Sequence, residues 1–411
     1  MSFASKVKDA FGRLTGGGKV APIQNNYEGG ARWSTDRTYR PGFVRDVRFD
    51  ADTATRTEIV RMSRIQERNN GIYQKLVDLF EQYTVGPNGL QLIPSSSSDE
   101  WNQRMRQNFG MWERYCDLTS LQHFGTVQSL IAREWFVDGE VFIYKTYGRD
   151  KGGIQRPRIQ LIESHRVATP PGTKSSDRIF DGVELNEIGR PIAYHVKVGI
   201  DSDKFERVDA SNIIHIFEPS RVNQIRGIPI CYAVLNDIRD LEDLQLFEMR
   251  KAKENARTAK VVKTRNSEAP VTESRRQRFS DSGTINTGAV SNENRVRDLD
   301  KALGGETIAL FPDETYEEHR SDTPSAGTQF HWDYLLSKVC AGIGISKLLV
   351  FPFSFQGTVV RADLDTCASF FRSRSAVLSN AVQQIYQWVL SEAVYANDGG
   401  IADGLPDDFR K

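Results

Sequence analysis

The sequence has few cysteines, no net charge and no long apolar run. Its four cysteines are widely spaced and form no CxxC or Cys/His ligand pattern, which argues against a disulfide framework or a zinc site and favours a reducing compartment. Lysine plus arginine and aspartate plus glutamate both total 54, so the chain lacks the basic surplus of a general nucleic-acid binder. No run approaches the roughly 20 apolar residues that cross a bilayer, and residues 1–20 contain no apolar core of a secretory signal. We therefore expect no membrane partner.

Residue combinations that could support catalysis are also missing from the sequence. His331 and Cys340 lie about two and a half turns apart on one predicted helix, so they cannot meet as base and nucleophile. His215 lies on a predicted strand, where a buried and hydrogen-bonded histidine is the expected interpretation. Asp363 and Asp365 lie two residues apart on a predicted helix, so they face different directions and do not form a paired metal site. We expect no enzyme, no cofactor and no metal ion.

Residues 329–394 hold the strongest pattern in the chain. Their periodicity predicts a short helix that ends at the glycines of 342–344, then a phenylalanine-rich loop, then one long helix over 359–394. Pro352 prevents the loop from continuing the first helix. At ~1.5 Å per residue the long helix would measure about 50 Å. Its aromatic stripe has no evident partner inside the chain, so we expect these side chains to be buried between subunits of an assembly.

The rest of the chain alternates between helix and strand patterns. Its 411 residues can support two or three domains. Helices followed by strands indicate an α+β fold that is mostly α. The predicted elements are an arm (1–54), a helix with Thr55 and Glu58 as a capping box (55–83), a helix capped by Ser97, a helix (126–136), strands (140–145, 158–162, 193–198 and 213–217), a helix (229–259) and a small α/β insertion (261–310).

Four groups of residues occur in a fixed order between residues 55 and 395. With them, the chain resembles the lambda-type portal proteins of tailed bacteriophages. Each motif alone is common, whereas the order and the intervals are specific. The groups are Arg64 with Arg68-Asn69-Asn70 and Val85-Gly86-Pro87-Asn88-Gly89-Leu90; Arg133-Glu134-Trp135 with Asp138-Gly139-Glu140; His215-Ile216-Phe217 with Gln224-Ile225-Arg226-Gly227-Ile228-Pro229; and Ala341-Gly342-Ile343-Gly344-Ile345-Ser346 with Arg361-Ala362.

The resemblance implies a portal fold with a wing, stem helices, a small α/β clip, a tunnel loop and a long wing/crown helix. Relative to the usual family pattern, the predicted loop is more aromatic. The family also leads us to expect further helical sequence after 399–411, so we expect a crown that is short, absent or removed. The implied segments are an N-terminal arm (1–54), the wing (55–227), the first stem helix (228–260), the clip (261–326), the second stem helix (327–344), the tunnel loop (345–358) and the long helix that returns to the wing and starts the crown (359–411).

The resemblance also implies a function and partners. The expected assembly is a ring, commonly dodecameric, that is built in the host bacterial cytoplasm and sits at one capsid vertex of the virion. Double-stranded DNA would pass through it during packaging and ejection, without sequence specificity. Zero net charge is consistent with this role, because tight phosphate binding would stall translocation. Further expected partners are the terminase large subunit, the head–tail adaptor and the major capsid or scaffold protein.

Candidate site residues follow from the same resemblance. The DNA-facing candidates in the tunnel loop are Lys347, Ser354, Gln356 and Thr358, with Arg361 as the loop anchor. The clip candidates that face terminase are Arg265, Arg275, Arg276 and Arg278. The subunit-packing candidates are Phe351, Phe353, Phe355 and Trp388. Two alternatives stay open: another capsid or adaptor structural protein, and a DNA-acting enzyme that uses the arginine-rich segment 263–278.

Overall fold

The computed structural model describes residues 46–149, 153–173, 178–199, 204–257, 261–262, 308–309, 326–351, 357–396, 401–403 and 405–406. These residues form a mixed helix and sheet structure that is mostly helical, as the sequence predicts. The chain divides into two compact units. Unit 1 comprises Met1–Arg239 and Leu336–Lys411, and unit 2 comprises Asp240–Leu335.

The helices are numbered in chain order. They are α1 (Val47–Asp50), α2 (Thr53–Asn69), α3 (Gly71–Val85), α4 (Asp99–Glu113), α5 (Phe124–Asp138), α6 (Leu235–Arg257), α7 (Ala326–Ile343), α8 (Lys347–Val350) and α9 (Gly357–Tyr395). None of the described helices is both long enough and apolar enough to cross a bilayer.

The single helix predicted over 55–83 is wrong, because the chain breaks at Asn70. Asn70 has φ −112° and ψ 114°, and its side-chain oxygen accepts hydrogen bonds from the backbone N–H groups of Ile72 and Tyr73 at 2.9 and 3.1 Å. Asparagine is a strong helix N-cap, so it ends α2 and starts α3 in one step. The predicted capping box at Thr55 is also wrong, since Asp52 caps α2 by accepting from the Thr55 N–H at 2.8 Å.

The strands form three sheets among the described residues. The first has the order β2-β1-β7 and the second the order β3-β4-β5-β6, and neighbours in both are antiparallel. In unit 2, β8 and β9 make a short parallel pair. The strands are β1 (Glu140–Arg149), β2 (Gln155–Ile162), β3 (Ile179–Phe180), β4 (Val183–Leu185), β5 (Pro191–Lys197), β6 (Phe205–Asp209), β7 (Ile213–Phe217), β8 (Val261–Val262) and β9 (Ile308–Ala309).

The boundaries of the predicted tunnel loop differ from those of the structure. Lys347–Val350 forms the short helix α8, whose N-cap Ser346 accepts a hydrogen bond from the Leu348 N–H at 3.2 Å. Helix α9 already begins at Gly357, so Thr358 lies in a helix rather than in a loop. A serine cap after the Gly344 turn is enough to start α8, which the apolar pattern alone does not reveal. The long helix itself is confirmed.

The aromatic stripe of α9 has partners inside the chain, which corrects the expectation that only a neighbouring subunit could cover it. Phe371 stacks on Tyr83 of α3 with ring centroids 4.9 Å apart, and Phe370 meets Phe80 edge-on at 6.2 Å. Further along α9, Leu390 and other residues pack on Trp101 and Met105 of α4. The stripe is therefore part of the core of unit 1. The buried apolar residues of α9 are Cys367, Phe371, Leu378, Ala381, Val382, Ile385, Val389, Leu390 and Ala393.

Candidate functional site

A buried polar cluster is centred on Glu140, the first residue of β1. Its side chain is 0 % exposed, and Arg226 holds both carboxylate oxygens: Nε lies 2.9 and 3.0 Å from Oε1 and Oε2, and Nη2 lies 2.5 Å from Oε1. The backbone N–H of Gly227 donates to Oε2 at 2.7 Å. One carboxylate therefore fixes the segment that leads from β7 towards α6.

The same carboxylate joins the helical layer to the sheets. Arg56 of α2 reaches Glu140 Oε1 with Nη1 at 3.2 Å and reaches Asp181 Oδ2 with Nε at 2.6 Å. Ser164 donates its hydroxyl to Glu140 Oε1 at 2.7 Å and accepts from Arg56 Nη1 at 2.7 Å. Two guanidinium groups thus face two carboxylates, so the cluster carries no net charge when His215 is neutral. We name these residues the Glu140 cluster: Arg56, Glu140, Ser164, Asp181, His215, Arg226 and Gly227.

The cluster shifts the acid–base behaviour of its members. Burial alone would raise the pKa of Glu140, but the guanidinium groups of Arg226 and Arg56 and the hydrogen bond from His215 together hold that pKa well below its usual range. Burial lowers the pKa of His215 in spite of the neighbouring carboxylate. The neutral ring places Nε2 3.0 Å from Glu140 Oε2 and stacks against Phe142 at 4.2 Å. The prediction of a buried, hydrogen-bonded histidine at this position is therefore confirmed.

Two glycines allow the cluster to close. A Cβ on Gly227 would lie 2.2 Å from the carbonyl oxygen of Gly139, and a Cβ on Gly139 would lie 2.0 Å from the carbonyl carbon of Ile228. Gly139 also has φ +83°, a left-handed conformation that favours glycine. Two backbone segments far apart in the sequence therefore pack directly on each other at this point.

Next to the Glu140 cluster lies a second group of charges on α2 and α5. Arg64 Nε lies 2.8 Å from Asp138 Oδ1, and Arg64 Nη2 lies 3.1 Å from Glu163 Oε2. Burial, with repulsion from Asp138 and Glu163, raises the pKa of Glu134 to about 8. Arg133 points to α2 and α3, where it bonds Glu67 and Asp78, each at 3.0 Å.

The Glu140 cluster is a structural junction that joins α2, the sheets and the segment after β7. Its carboxylate accepts hydrogen bonds from the Arg226 guanidinium, the Gly227 N–H and the Ser164 hydroxyl. In the described part of the chain, no group of three or more histidine, cysteine or acidic residues is placed to hold a metal ion. The four cysteines are free and buried. Most of these residues belong to the sequence motifs, but the sequence does not predict that the motifs contact one another. The feature that could have indicated it is the recurrence of charged residues inside otherwise apolar segments.

The predicted site residues occupy separate places, and their roles stay predictions. Lys347 is the half-buried first residue of α8, and Phe351 follows that helix directly. Arg361 is exposed on α9. Trp388 is half-buried, with its ring 6.0 Å from that of Tyr147 in an edge contact. The candidates that lie outside the described residues are Arg265, Arg275, Arg276, Arg278, Phe353, Ser354, Phe355 and Gln356.

Comparison with known proteins agrees with the resemblance seen in the sequence. Residues 44–351 match the family described as phage portal protein, lambda family. A probable portal protein of Halomonas phage phiHAP-1 is 27% identical over 215 residues, which cover 47% of this chain and 41% of the relative. Portal protein B of Escherichia phage lambda is 23% identical over 277 residues, covering 62% of this chain and 51% of the relative. The chain thus spans about half or less of the length of these relatives.

The fold is also similar to that of a solved structure. The structure titled neck of native GTA particle, computed with C12 symmetry, shares 14% sequence identity with this chain at a TM-score of 0.50. The match covers 82% of this chain and 81% of the other. At this identity the likeness supports the fold alone, whereas the match over residues 44–351 covers most of the sequence. The chain belongs to the lambda family of phage portal proteins.

Proposed function

We propose that this chain is a portal subunit that assembles into a ring at one vertex of a capsid and forms the conduit for double-stranded DNA during packaging and ejection. Its membership of the lambda portal family supports this role. The solved neck structure was computed with C12 symmetry, and we extend a ring of twelve copies from it to this chain. The protein acts as a structural part rather than as an enzyme.

The observation that carries the ring is an uncovered apolar surface on unit 2. Within this unit, α6 and α7 are joined by a hydrogen bond from Thr328 Oγ1 to Glu248 Oε1 at 2.8 Å. A pair of helices cannot bury both of its faces, and large apolar side chains stay exposed. We name them the unit 2 apolar surface: Leu246 (44 %), Phe247 (61 %), Met249 (51 %), Phe330 (67 %) and Tyr334 (60 %).

A second copy of the chain is the occupant that fits this surface. Exposed aromatic side chains on both helices are typical of an interface, and a ring covers the same residues on every subunit. In this scheme α6 and α7 are the two stem helices, residues 55–227 form the wing, and α9 returns to the wing. The clip at 261–326 lies almost entirely outside the described residues, and the tunnel loop corresponds to 345–358.

The proposed partners follow from this scheme. Double-stranded DNA passes without sequence-specific contacts, and zero net charge keeps its affinity for the channel low. The clip docks the terminase large subunit during packaging and the head–tail adaptor afterwards. The ring is assembled in the bacterial cytoplasm together with the major capsid or scaffold protein, and in the virion it occupies the capsid vertex.

The ring is tested by imaging the purified chain and by removing the unit 2 apolar surface. Wild-type particles should be annular in negative stain, with a countable symmetry and a central hole wide enough for duplex DNA. The double variant Phe247→Ser with Tyr334→Ser should shift the protein to monomers, because each buried aromatic contributes roughly 1.5–3 kcal/mol to an interface. The matched control is Lys251→Ser, an exposed residue of the same helix, which should assemble as wild type does. A wild-type chain that stays monomeric at every concentration and salt tested would refute the proposal.

A further inference from the structure

One face of α9 holds the segment that connects α7 to α8. Asp363, Cys367 and Phe370 are spaced by four and three residues, so they lie one above the other on the same side of the helix. All three of them contact this segment. The buried Ser346 meets Asp363 and Cys367, and Gly344 meets Phe370.

Ser346 makes three hydrogen bonds at this face. Its hydroxyl donates to the carboxylate of Asp363 and accepts from the Leu348 N–H at 3.2 Å, which caps α8. Its own backbone N–H donates to Cys367 Sγ at 3.3 Å. One side chain therefore ties the start of α8 to the first turns of α9. The carboxylate of Asp363 is exposed, and a hydrogen bond to a charged carboxylate is about twice as strong as one between neutral groups.

Gly344 completes the fit. It has φ +92°, and a Cβ at this position would lie 3.0 Å from the ring of Phe370. The guanidinium group of Arg374, one turn further along α9, lies over that ring at 3.9 Å from its centroid and forms an ion pair with Glu218 at 2.9 Å. The face that receives the connector is thus itself held by the loop that follows β7. We call Asp363, Cys367 and Phe370 the α9 seat.

We propose that Ser346 and Asp363 are positioning residues that fix α8, and with it Lys347, on the α9 seat so that the DNA conduit is lined correctly. The proposal rests on the proposed function, because it assigns a task in DNA passage to a contact inside one subunit. Arg361, the anchor predicted from the sequence, is exposed on α9. The described contact that holds the segment at this end joins Ser346 to Asp363, which is also exposed, and the anchoring role of Arg361 stays a prediction.

The seat itself can be tested with the native cysteines. All four are buried, and Cys367 Sγ accepts a hydrogen bond from the Ser346 N–H, so release of α8 should expose Cys367 while Cys116 and Cys231 stay protected as internal references. Alkylation of the full-length wild-type protein by iodoacetamide, resolved by mass spectrometry, should be slow at every cysteine. In Ser346→Ala and Asp363→Asn, the rate at Cys367 should rise by roughly tenfold or more, the change expected from losing one hydrogen bond to a charged group.

Matched variants separate positioning from general loss of structure. Asp365→Asn changes an exposed carboxylate two residues away and should leave the alkylation of Cys367 at the wild-type rate. Ser346→Thr keeps the hydroxyl and should restore protection. An unchanged rate at Cys367 in both Ser346→Ala and Asp363→Asn would overturn the proposal, as would equal exposure in Asp365→Asn.

DNA packaging tests the functional half of the proposal. When the variants replace the resident portal in the particle, Ser346→Ala and Asp363→Asn should form rings of wild-type symmetry but give about tenfold fewer DNA-filled particles, a loss equivalent to one such hydrogen bond. Normal packaging with an exposed Cys367 would refute the positioning role and leave the ring intact. A wild-type chain that forms no ring would refute the proposed function, whereas alkylation would still report on the seat.

Discussion

Replacing Glu140 by glutamine should destabilise the protein more than almost any other single loss of charge. The change removes the carboxylate that faces Arg56 and Arg226, whose side chains are 4 and 5 % exposed. It also places an amide NH₂ close to groups that donate to the carboxylate, including the Gly227 N–H at 2.7 Å. Breaking a buried ion pair by removing one partner costs about 3–5 kcal/mol, since the remaining charge is left in a site that water cannot reach. We expect a loss in this range for Glu140→Gln.

Denaturant unfolding of the full-length protein, followed by tryptophan fluorescence, measures this loss directly. The control is Glu163→Gln, which also faces an arginine but is 49 % exposed, with Arg64 Nη2 3.1 Å from Oε2. An exposed pair contributes about 0–1 kcal/mol, so the control should unfold close to the wild type. If Glu140→Gln and Glu163→Gln shifted the unfolding midpoint equally, the account of the Glu140 cluster as a buried and necessary ion pair would be refuted.

The pH dependence of the same variant gives an independent check with a defined sign. The folded-state pKa of Glu140 lies well below the ordinary value of 4.5. At pH values between the folded-state pKa and this ordinary pKa, the unfolded state therefore binds more protons than the folded state. The stabilisation is fully present above the ordinary value and is lost as the pH falls towards the folded-state pKa. The stability difference between wild type and Glu140→Gln should therefore be constant near neutral pH and should shrink only below about pH 4.5. A difference that shrinks between pH 8 and 6 would contradict this reasoning.

Two further predictions concern the neighbourhood of the Glu140 cluster. Gly227→Ala should lower the free energy of unfolding by about 1–3 kcal/mol or more, because the new Cβ would lie 2.2 Å from the Gly139 carbonyl oxygen and the backbone would have to shift. Gly110→Ala in α4 is the control: a Cβ there meets nothing within 4 Å, so the free energy of unfolding should rise by about 1 kcal/mol. Denaturant unfolding measures both changes. Glu134 has a folded-state pKa of about 8 against an ordinary 4.5, so the folded state binds more protons in that window and stability should fall as the pH rises through it. Glu134→Gln should flatten this fall in thermal melts between pH 5 and 8; an unchanged slope would show that another group is responsible.

Some of the fold could be predicted from the sequence because it depends on local pattern. Helix α9 has a long and regular apolar stripe, and β7 is a short apolar run, so the sequence predicts both elements at the positions that the structure shows. The break at Asn70 was missed because the apolar pattern continues across it, and a side-chain cap leaves no trace in periodicity. Strands β3 and β4 have only two and three residues, too few for an alternating pattern to emerge.

The candidate site was harder to predict than the fold, because its members lie far apart in the chain. Glu140 and Arg226 are separated by 86 residues, and Arg56 and Asp181 by 125. In the sequence, each of these charged residues by itself would be interpreted as a solvated surface residue or as a candidate binding residue. Only the tertiary arrangement shows that they neutralise one another, and nothing local in the sequence encodes that pairing. The sequence therefore identifies the motifs but does not predict that their charged residues contact one another.

The pairing of the motif arginines bears on how a conduit avoids holding its DNA. Arg64, Arg133 and Arg226 belong to the motifs that mark the family resemblance, and all three bind carboxylates of their own chain. An arginine committed to a carboxylate at 2.5–3.0 Å gives up little further attraction for a phosphate, because its charge is already compensated. Under the proposed function, these arginines would add little affinity for a duplex. In the proposed conduit, a chain with 54 basic residues would in this way use arginine structurally and still release a polyanion.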